Sequence, residues 1–252
     1  MRHDTRHNIL KLNEVFARHL IDVQTAKHKP SEDEYSEGDR IILDDSNKAV
    51  TLTKEKAEEL NAEDRKYFDS KRDLNPFDSD KKFKWIARAT LISSKKDSDS
   101  YLHDLGESLE KLRLKLNSKD LITLGDWSTP WLSQDNDYKP VKESLDWLSK
   151  RIDVEFNGGF LLNETDLVQF IPRLFWLTRC NMSLPEFMMT FEKCKTIFSI
   201  CKHGVLHLES YDQIELNDFL DFYQSLGFKQ TDNCSDPVDF DKFEGREIKL
   251  SS

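Results

Sequence analysis

Glycine is scarce in this sequence, and the few glycines stand in the wrong places for phosphate binding. There are eight in 252 residues, and no two of them are separated by a single residue. The dinucleotide fingerprint G-x-G-x-x-G and the phosphate loop G-x-x-x-x-G-K-[ST] are therefore absent, and both need glycine for close backbone approach to phosphate. H-E-x-x-H and G-x-S-x-G are absent as well. These absences exclude the common nucleotide-binding loops, zinc-protease helices and hydrolase elbows.

Long apolar runs are also missing. No run approaches the ~18 residues of a membrane span, and no apolar stretch follows the charges at the amino terminus. We therefore expect a soluble cytoplasmic protein without a membrane partner. Aromatic residues are plentiful, with 16 Phe, 6 Tyr and 5 Trp, which favours a folded chain with a real core.

Positive charge is in deficit. Lys and Arg number 37 against 47 Asp and Glu, which gives a net charge of −10. Nucleic acid is an unlikely partner, because affinity for phosphate depends on clustered cations. The charge is uneven: residues 81–119 carry 10 basic and 5 acidic side chains, whereas residues 209–248 carry 3 basic and 11 acidic ones. This pattern is typical of solvated helix faces and acidic loops, and it also suits a surface that meets another protein.

The four cysteines form no C-x-x-C pair. Because His203 and His207 are four residues apart, a metal site can be drawn from Cys180, Cys194, Cys201, His203 and His207. Its spacings match no zinc pattern, so we interpret the cysteines as buried strand residues with free thiols. We accordingly predict no cofactor and no metal ion.

Apolar periodicity divides the chain near residues 69–80, a polar and turn-rich stretch. Before it, the pattern predicts a helix over 5–27, a hairpin over 40–53 and a helix to about residue 68. The expected organisation is an N-terminal helix–hairpin–helix segment of residues 1–72, docked on a main α+β domain of residues 81–252.

The pattern of the main domain intermixes strands and helices. Period-two alternation predicts a strand over 82–94, and residues 154–162 are also interpreted as a strand. Leucines at helical spacing from Leu102 to Leu116 predict a helix that contains them. Pro172 suggests a helix ending at 171, followed by a strand over 173–179. Residues 186–209 are typical of an antiparallel meander, and residues 214–226 of a last helix. The predicted fold class is α+β, with a mixed sheet and a late meander packed by helices.

The loop after the apolar strand at residues 120–124 is the best candidate binding surface. Loops after strands often hold ligands, and aromatic residues dominate interface energetics. The candidate partner-binding residues are Asp126, Trp127, Trp131, Asp135, Asp137 and Tyr138. We interpret the protein as a module that binds another protein, in the manner of an inhibitor, immunity or defence-accessory protein. The alternative is a metal-dependent hydrolase that uses Asp126, Asp135 and Asp137.

A second alternative depends on residues 205–228. Val205-Leu206-His207-Leu208 precedes a helix that ends in Phe222-Tyr223-Gln224-Ser225-Leu226-Gly227-Phe228. This ending resembles GNAT acetyltransferases, which implies a divergent acyltransferase. It also resembles the first strand–helix unit of vicinal-oxygen-chelate enzymes, in which a histidine at the position of His207 would bind metal. The GNAT pyrophosphate loop is missing, and a helix followed by a C-cap glycine and a strand also accounts for the ending.

Overall fold

The computed structural model describes residues 1–30, 34–43, 48–78, 83–134, 136–180 and 186–240. The chain divides into two compact units. The smaller unit is Ile21–Leu74, and the larger one combines Met1–Leu20 with the chain from Asn75 onward. The expected docking of a segment 1–72 on a domain 81–252 stays a prediction.

The described residues form seven helices and ten strands. The helices are α1 (Arg6–Leu10), α2 (Glu14–His28), α3 (Lys54–Lys71), α4 (Ser98–Lys115), α5 (Lys139–Ser149), α6 (Glu164–Arg179) and α7 (Gln213–Ser225). The strands are β1 (Arg2–Asp4), β2 (Arg40–Leu43), β3 (Lys48–Thr51), β4 (Ala87–Ile92), β5 (Leu121–Gly125), β6 (Gly159–Leu162), β7 (Phe187–Phe191), β8 (Thr196–Ile200), β9 (Leu206–Ser210) and β10 (Lys229–Gln230). No helix in these ranges has both the length and the apolar composition to cross a membrane.

The larger unit is built on an eight-stranded sheet in the order β1-β6-β5-β7-β8-β9-β4-β10. The predicted α+β class and the late meander β7-β8-β9 are confirmed. A mixed sheet was expected, but every pairing among the described strands of this sheet is antiparallel. Within the meander the physical reason is loop length, because short connections join only antiparallel neighbours. In the smaller unit, β2 and β3 form the predicted hairpin.

The core of the larger unit is formed by residues of the sheet and of the helices, with α4 packed directly on α6. The leucine stripe predicted for α4 is confirmed, since Leu102, Leu105, Leu109 and Leu112 are all buried. Gly106 lies on the same helix, and a Cβ added there would stand 3.0 Å from the backbone oxygen of Val168 in α6. The absence of a side chain at this position therefore allows the two helix backbones to approach closely.

The strand predicted over 173–179 is wrong. The structure continues α6 through Pro172 to Arg179. Buried Leu167, Phe170 and Leu174 recur at helical spacing on both sides of the proline, so burial of one apolar stripe outweighs the local cost of proline.

The helix predicted over 5–27 is divided in two, and a short strand, β1, precedes it. The division falls at Asn13. Its side-chain amide donates to the carbonyl oxygens of Phe191 and Cys194, both at 2.8 Å, and its side-chain oxygen accepts from the N–H of Phe16. Asn13 thus caps the start of α2 and holds it against the meander. The predicted strands over 82–94 and 154–162 shorten to Ala87–Ile92 and Gly159–Leu162.

Candidate metal centre

The candidate site lies beside two strands of the meander, β8 and β9. In the register of β8 and β9, Ser199 lies opposite His207. Their neighbours Phe198, Leu206 and Leu208 are buried in the core. Because side chains alternate across a sheet, Ser199 and His207 lie on the face opposite to these core residues. Cys201 comes two residues after Ser199 and therefore lies on the same face as Ser199 and His207.

Two cysteines and one histidine converge on this face. The Cys201 and Cys234 Sγ atoms are 3.2 Å apart, and the Cys234 Sγ lies 3.7 Å from the His207 Nε2. The three potential ligand atoms all lie within 4.8 Å of one another. We call these three residues the thiol–imidazole cluster. Among the described residues it is the group of three or more Cys, His, Asp or Glu side chains whose spacing suits a metal ion.

The segment after β10 brings Cys234 to the cluster. The Thr231 N–H donates to the Thr90 carbonyl oxygen at 3.0 Å, and Phe240 is buried in the core. Between them, the Asp236 carboxylate accepts from Arg179 Nη2 at 2.7 Å and contacts His203 Nδ1 at 2.6 Å. Cys234 is therefore held between an edge strand, an ion-paired carboxylate and a core aromatic ring.

A tight turn between β8 and β9 places Cys201. Gly204 has a φ of +75°, and an added Cβ would come within 2.9 Å of the Phe240 ring. Both the left-handed backbone and the contact favour glycine here. The Tyr101 hydroxyl donates to the Gly204 carbonyl oxygen at 2.9 Å, so the turn is anchored to α4.

The two thiols ionise differently. Burial opposes ionisation of Cys201, but hydrogen bonds from His207, Cys234 and the local backbone outweigh it and lower the pKa of the Cys201 thiol to about 7. Burial and the neighbouring Cys201 sulfur raise the pKa of the Cys234 thiol to about 11. For Asp236, burial also opposes ionisation, but hydrogen bonds from Arg179 and His203 lower the pKa of its carboxyl.

A cavity of about 570 Å³ opens beside the cluster. Glu209, on β9, and Arg88, on β4, lie opposite each other in the sheet register and form an ion pair. The second Glu209 oxygen lies 3.9 Å from the His19 Nε2. The cavity is lined by Arg88, Thr178, Glu186, Phe187, Ser199, Ile200, Cys201, Lys202, His203, His207, Glu209 and Cys234.

The aromatic loop predicted to bind a partner lies elsewhere, and its largest residue is in the core. Trp131 is 2% exposed. Its ring stacks on Phe187 with 4.3 Å between centroids, and its Nε1 donates to the Gly158 carbonyl oxygen at 2.9 Å. Trp131 therefore presents no surface to a partner, because its ring packs against Phe187 of β7. Trp127 is half-buried.

The acidic residues of the same loop do not share one environment. Asp126 is buried, and its backbone N–H donates to the Glu186 carbonyl oxygen. Asp137 is exposed, and half-buried Tyr138 packs edge-on against Trp176. Asp135 lies outside the described residues. The predicted protein-binding role and the alternative hydrolase role of this loop both stay predictions.

The interpretation of the cysteines as buried strand residues is wrong: Cys194 is buried but lies in the turn between β7 and β8, and none of the other three lies in a strand. Cys201 and Cys180 are half-buried, and Cys234 is exposed. Of the metal set drawn from the sequence, Cys201 and His207 come together, and the third member of the cluster is Cys234. Part of this cluster could be predicted from a meander over 186–209: Cys201 and His207 lie on either side of the turn between β8 and β9, so alternation places them as diagonal neighbours. No local spacing signals Cys234.

Comparison with known proteins provides no further guide to the site. No family model, no curated protein and no solved structure matches this chain. The resemblances to GNAT acetyltransferases and vicinal-oxygen-chelate enzymes thus remain restricted to residues 205–228, and the acyltransferase alternative stays a prediction.

Proposed function

We propose that the protein binds one Zn²⁺ ion through the thiol–imidazole cluster. The observation that carries the proposal is the convergence of the Cys201, His207 and Cys234 ligand atoms within 4.8 Å on the wall of a cavity. Two thiolates and one imidazole are a ligand set that zinc prefers. This proposal departs from the prediction of no metal ion.

The spacing of the ligand atoms fits a tetrahedral ion. Zn–S bonds of about 2.3 Å and Zn–N bonds of about 2.0–2.1 Å place two sulfurs about 3.8 Å apart and a sulfur and a nitrogen about 3.6 Å apart. The distances in the cluster are 3.2 Å for the sulfur pair and 3.7 Å for Cys234 Sγ and His207 Nε2. The sulfurs need to separate by only about half an ångström.

Three protein ligands leave one coordination position for a ligand in the cavity. Zinc sites of this kind activate water or polarise a bound carbonyl, whereas four-ligand sites are structural. Glu209 and Arg88 line the same cavity and supply an acceptor and donors that can orient a polar ligand. The proposed function is therefore zinc binding with an open position, the arrangement of a catalytic metal.

The first experiment is metal titration of the intact chain. Treatment with EDTA first removes any bound metal, and the chain is then titrated with Zn²⁺. Native mass spectrometry and calorimetry should show one Zn²⁺ bound per chain. Replacement by Co²⁺ should produce thiolate-to-cobalt charge-transfer absorption in the near ultraviolet, which reports the sulfur ligands directly.

Substitutions test the assignment of the ligands. Cys201→Ser and His207→Gln should each weaken zinc binding by more than the about 100-fold that loss of an outer partner costs. Cys180→Ser is the matched control, since it removes a half-buried thiol outside the cluster, and its affinity should equal that of the parent. Failure of the parent chain to bind zinc, or unchanged binding when Cys201 and His207 are both replaced, would overturn the proposal.

A further inference from the structure

The sulfur pair of the cluster has a second chemical capacity that needs no metal. The Cys201 and Cys234 Sγ atoms are 3.2 Å apart as thiols, and a disulfide bond requires about 2.05 Å. The two sulfurs therefore need to approach by only about 1.2 Å. Both residues line the 570 Å³ cavity, so a small oxidant can reach them.

The backbone around the pair can accommodate that movement. Cys201 is the first residue after β8, and Cys234 lies in the irregular segment after β10. The Cys234 side chain is exposed, and its Sγ lies 3.7 Å from the His207 ring nitrogen. Neither Cys201 nor Cys234 belongs to the buried core of the unit.

We propose that Cys201 and Cys234 form a reversible intrachain disulfide on exposure to a peroxide, and that this oxidation and zinc binding exclude each other. The second clause rests on the proposed function, because both states use the same two sulfurs. The first clause does not depend on it.

The oxidation balances with hydrogen peroxide as the oxidant. One sulfur attacks a peroxide oxygen, an S–O bond forms, the O–O bond breaks, and one water leaves. The other sulfur then displaces hydroxide from the sulfenic acid, an S–S bond forms, and a second water leaves. Two thiols lose two electrons and two protons, and peroxide is reduced to two waters.

The test uses the full chain without metal, prepared with EDTA and treated with one equivalent of hydrogen peroxide. Thiols counted after denaturation should fall from the four of the sequence to two, and peptide mapping should recover a fragment that joins Cys201 to Cys234. Dithiothreitol should restore all four. Cys180→Ser should form the same linked fragment, and Cys234→Ser should form none.

The zinc-loaded chain separates the two proposals. With zinc bound, disulfide formation should be at least tenfold slower. If zinc does not bind and the disulfide still forms at the same rate in its presence, the proposed function fails and the disulfide inference stands. The inference is overturned if the peroxide-treated chain keeps four thiols, becomes linked between chains, or links a different pair of cysteines.

Discussion

Glu215 has a carboxyl group whose ionisation is opposed by its surroundings. Its Oε1 accepts from the Lys195 N–H at 2.9 Å and from the Thr196 hydroxyl at 2.6 Å. Burial outweighs these bonds and raises its pKa above the ordinary glutamate value. The native state therefore binds the Glu215 proton more tightly than the unfolded chain does. The resulting contribution to the free energy of unfolding is favourable at low pH and is lost as pH rises through the raised pKa.

Glu215→Gln should remove this pH dependence. Glutamine keeps an oxygen that can accept both hydrogen bonds but carries no charge. Urea denaturation at a series of pH values from 4 to 8, values chosen around the ordinary glutamate range, should show the variant gaining free energy of unfolding relative to the parent as pH rises. Asp212, whose pKa is lowered chiefly by Lys195, acts with the opposite sign and is present in both proteins. A difference that does not change with pH would contradict this account.

Single residues also mark the limit of sequence-based prediction of the site. Cys201 and His207 were both in the metal set drawn from the spacing of His203 and His207, but that set was set aside because its spacings match no zinc pattern. Trp131 was predicted to bind a partner, although it fills the core against Phe187. An aromatic residue in a polar loop has the same local pattern whether its ring points outward or inward. The burial that decides between these alternatives comes from strands distant in sequence.

At the scale of elements, the packing of α4 against α6 depends on Gly106. A Cβ at this position would lie 3.0 Å from the Val168 oxygen and 3.1 Å from its Cα. These are backbone atoms, so they can yield only if a helix shifts. Overpacking of this kind costs about 1–3 kcal/mol, and the better helix propensity of alanine offsets about 1 kcal/mol of it.

Gly106→Ala should therefore lower the free energy of unfolding by about 1 kcal/mol. Ser100→Ala on the same helix is the control, since Ser100 is exposed and its replacement should change stability by less than about 0.5 kcal/mol. Chemical denaturation followed by far-ultraviolet circular dichroism measures both. A Gly106→Ala protein as stable as its parent would show that the two helices can separate without cost.

Elements with a regular apolar periodicity could be predicted from the sequence, whereas a helix that continues through a proline could not. The meander as a whole and α7 begin and end within two residues of their predicted bounds, because each has its own apolar alternation or stripe. The second half of α6 was predicted as a strand because Pro172 is a strong local signal. The stripe that contains Leu167 and Leu174 runs through it, and packing against α4 decides the outcome.

At the scale of the whole molecule, the cluster is assembled by the order of the strands and not by the order of the chain. β4 pairs with β9 across more than 100 residues of sequence, and β10 then pairs with β4. That edge pairing carries the following segment, with Cys234, back to the β8–β9 hairpin. Such long-range pairings leave no periodic pattern in a sequence. The proximity of Cys201 and His207 could therefore be predicted from the hairpin, whereas that of Cys234 could not.

A metal ion that joins these distant segments should stabilise the native state as a whole. Free zinc at 100 times its dissociation constant adds about 2.7 kcal/mol to the free energy of unfolding, which for a unit of this size raises the melting temperature by roughly 5–10 °C. All five tryptophans lie beyond residue 75, in the unit that contains the cluster, so their fluorescence reports its unfolding. The parent chain should show the rise.

The same measurement on His207→Gln should show a rise of less than about 2 °C, because ions that bind the remaining thiols also bind the unfolded chain and gain little from folding. EDTA should return the parent chain to its metal-free midpoint, since coordination and not covalent change produces the effect. Equal rises in the parent chain and in His207→Gln would place the stabilising ion outside the cluster. A rise in the parent chain alone assigns the stabilising ion to the imidazole of β9, at the place where the strand order brings the three potential ligands together.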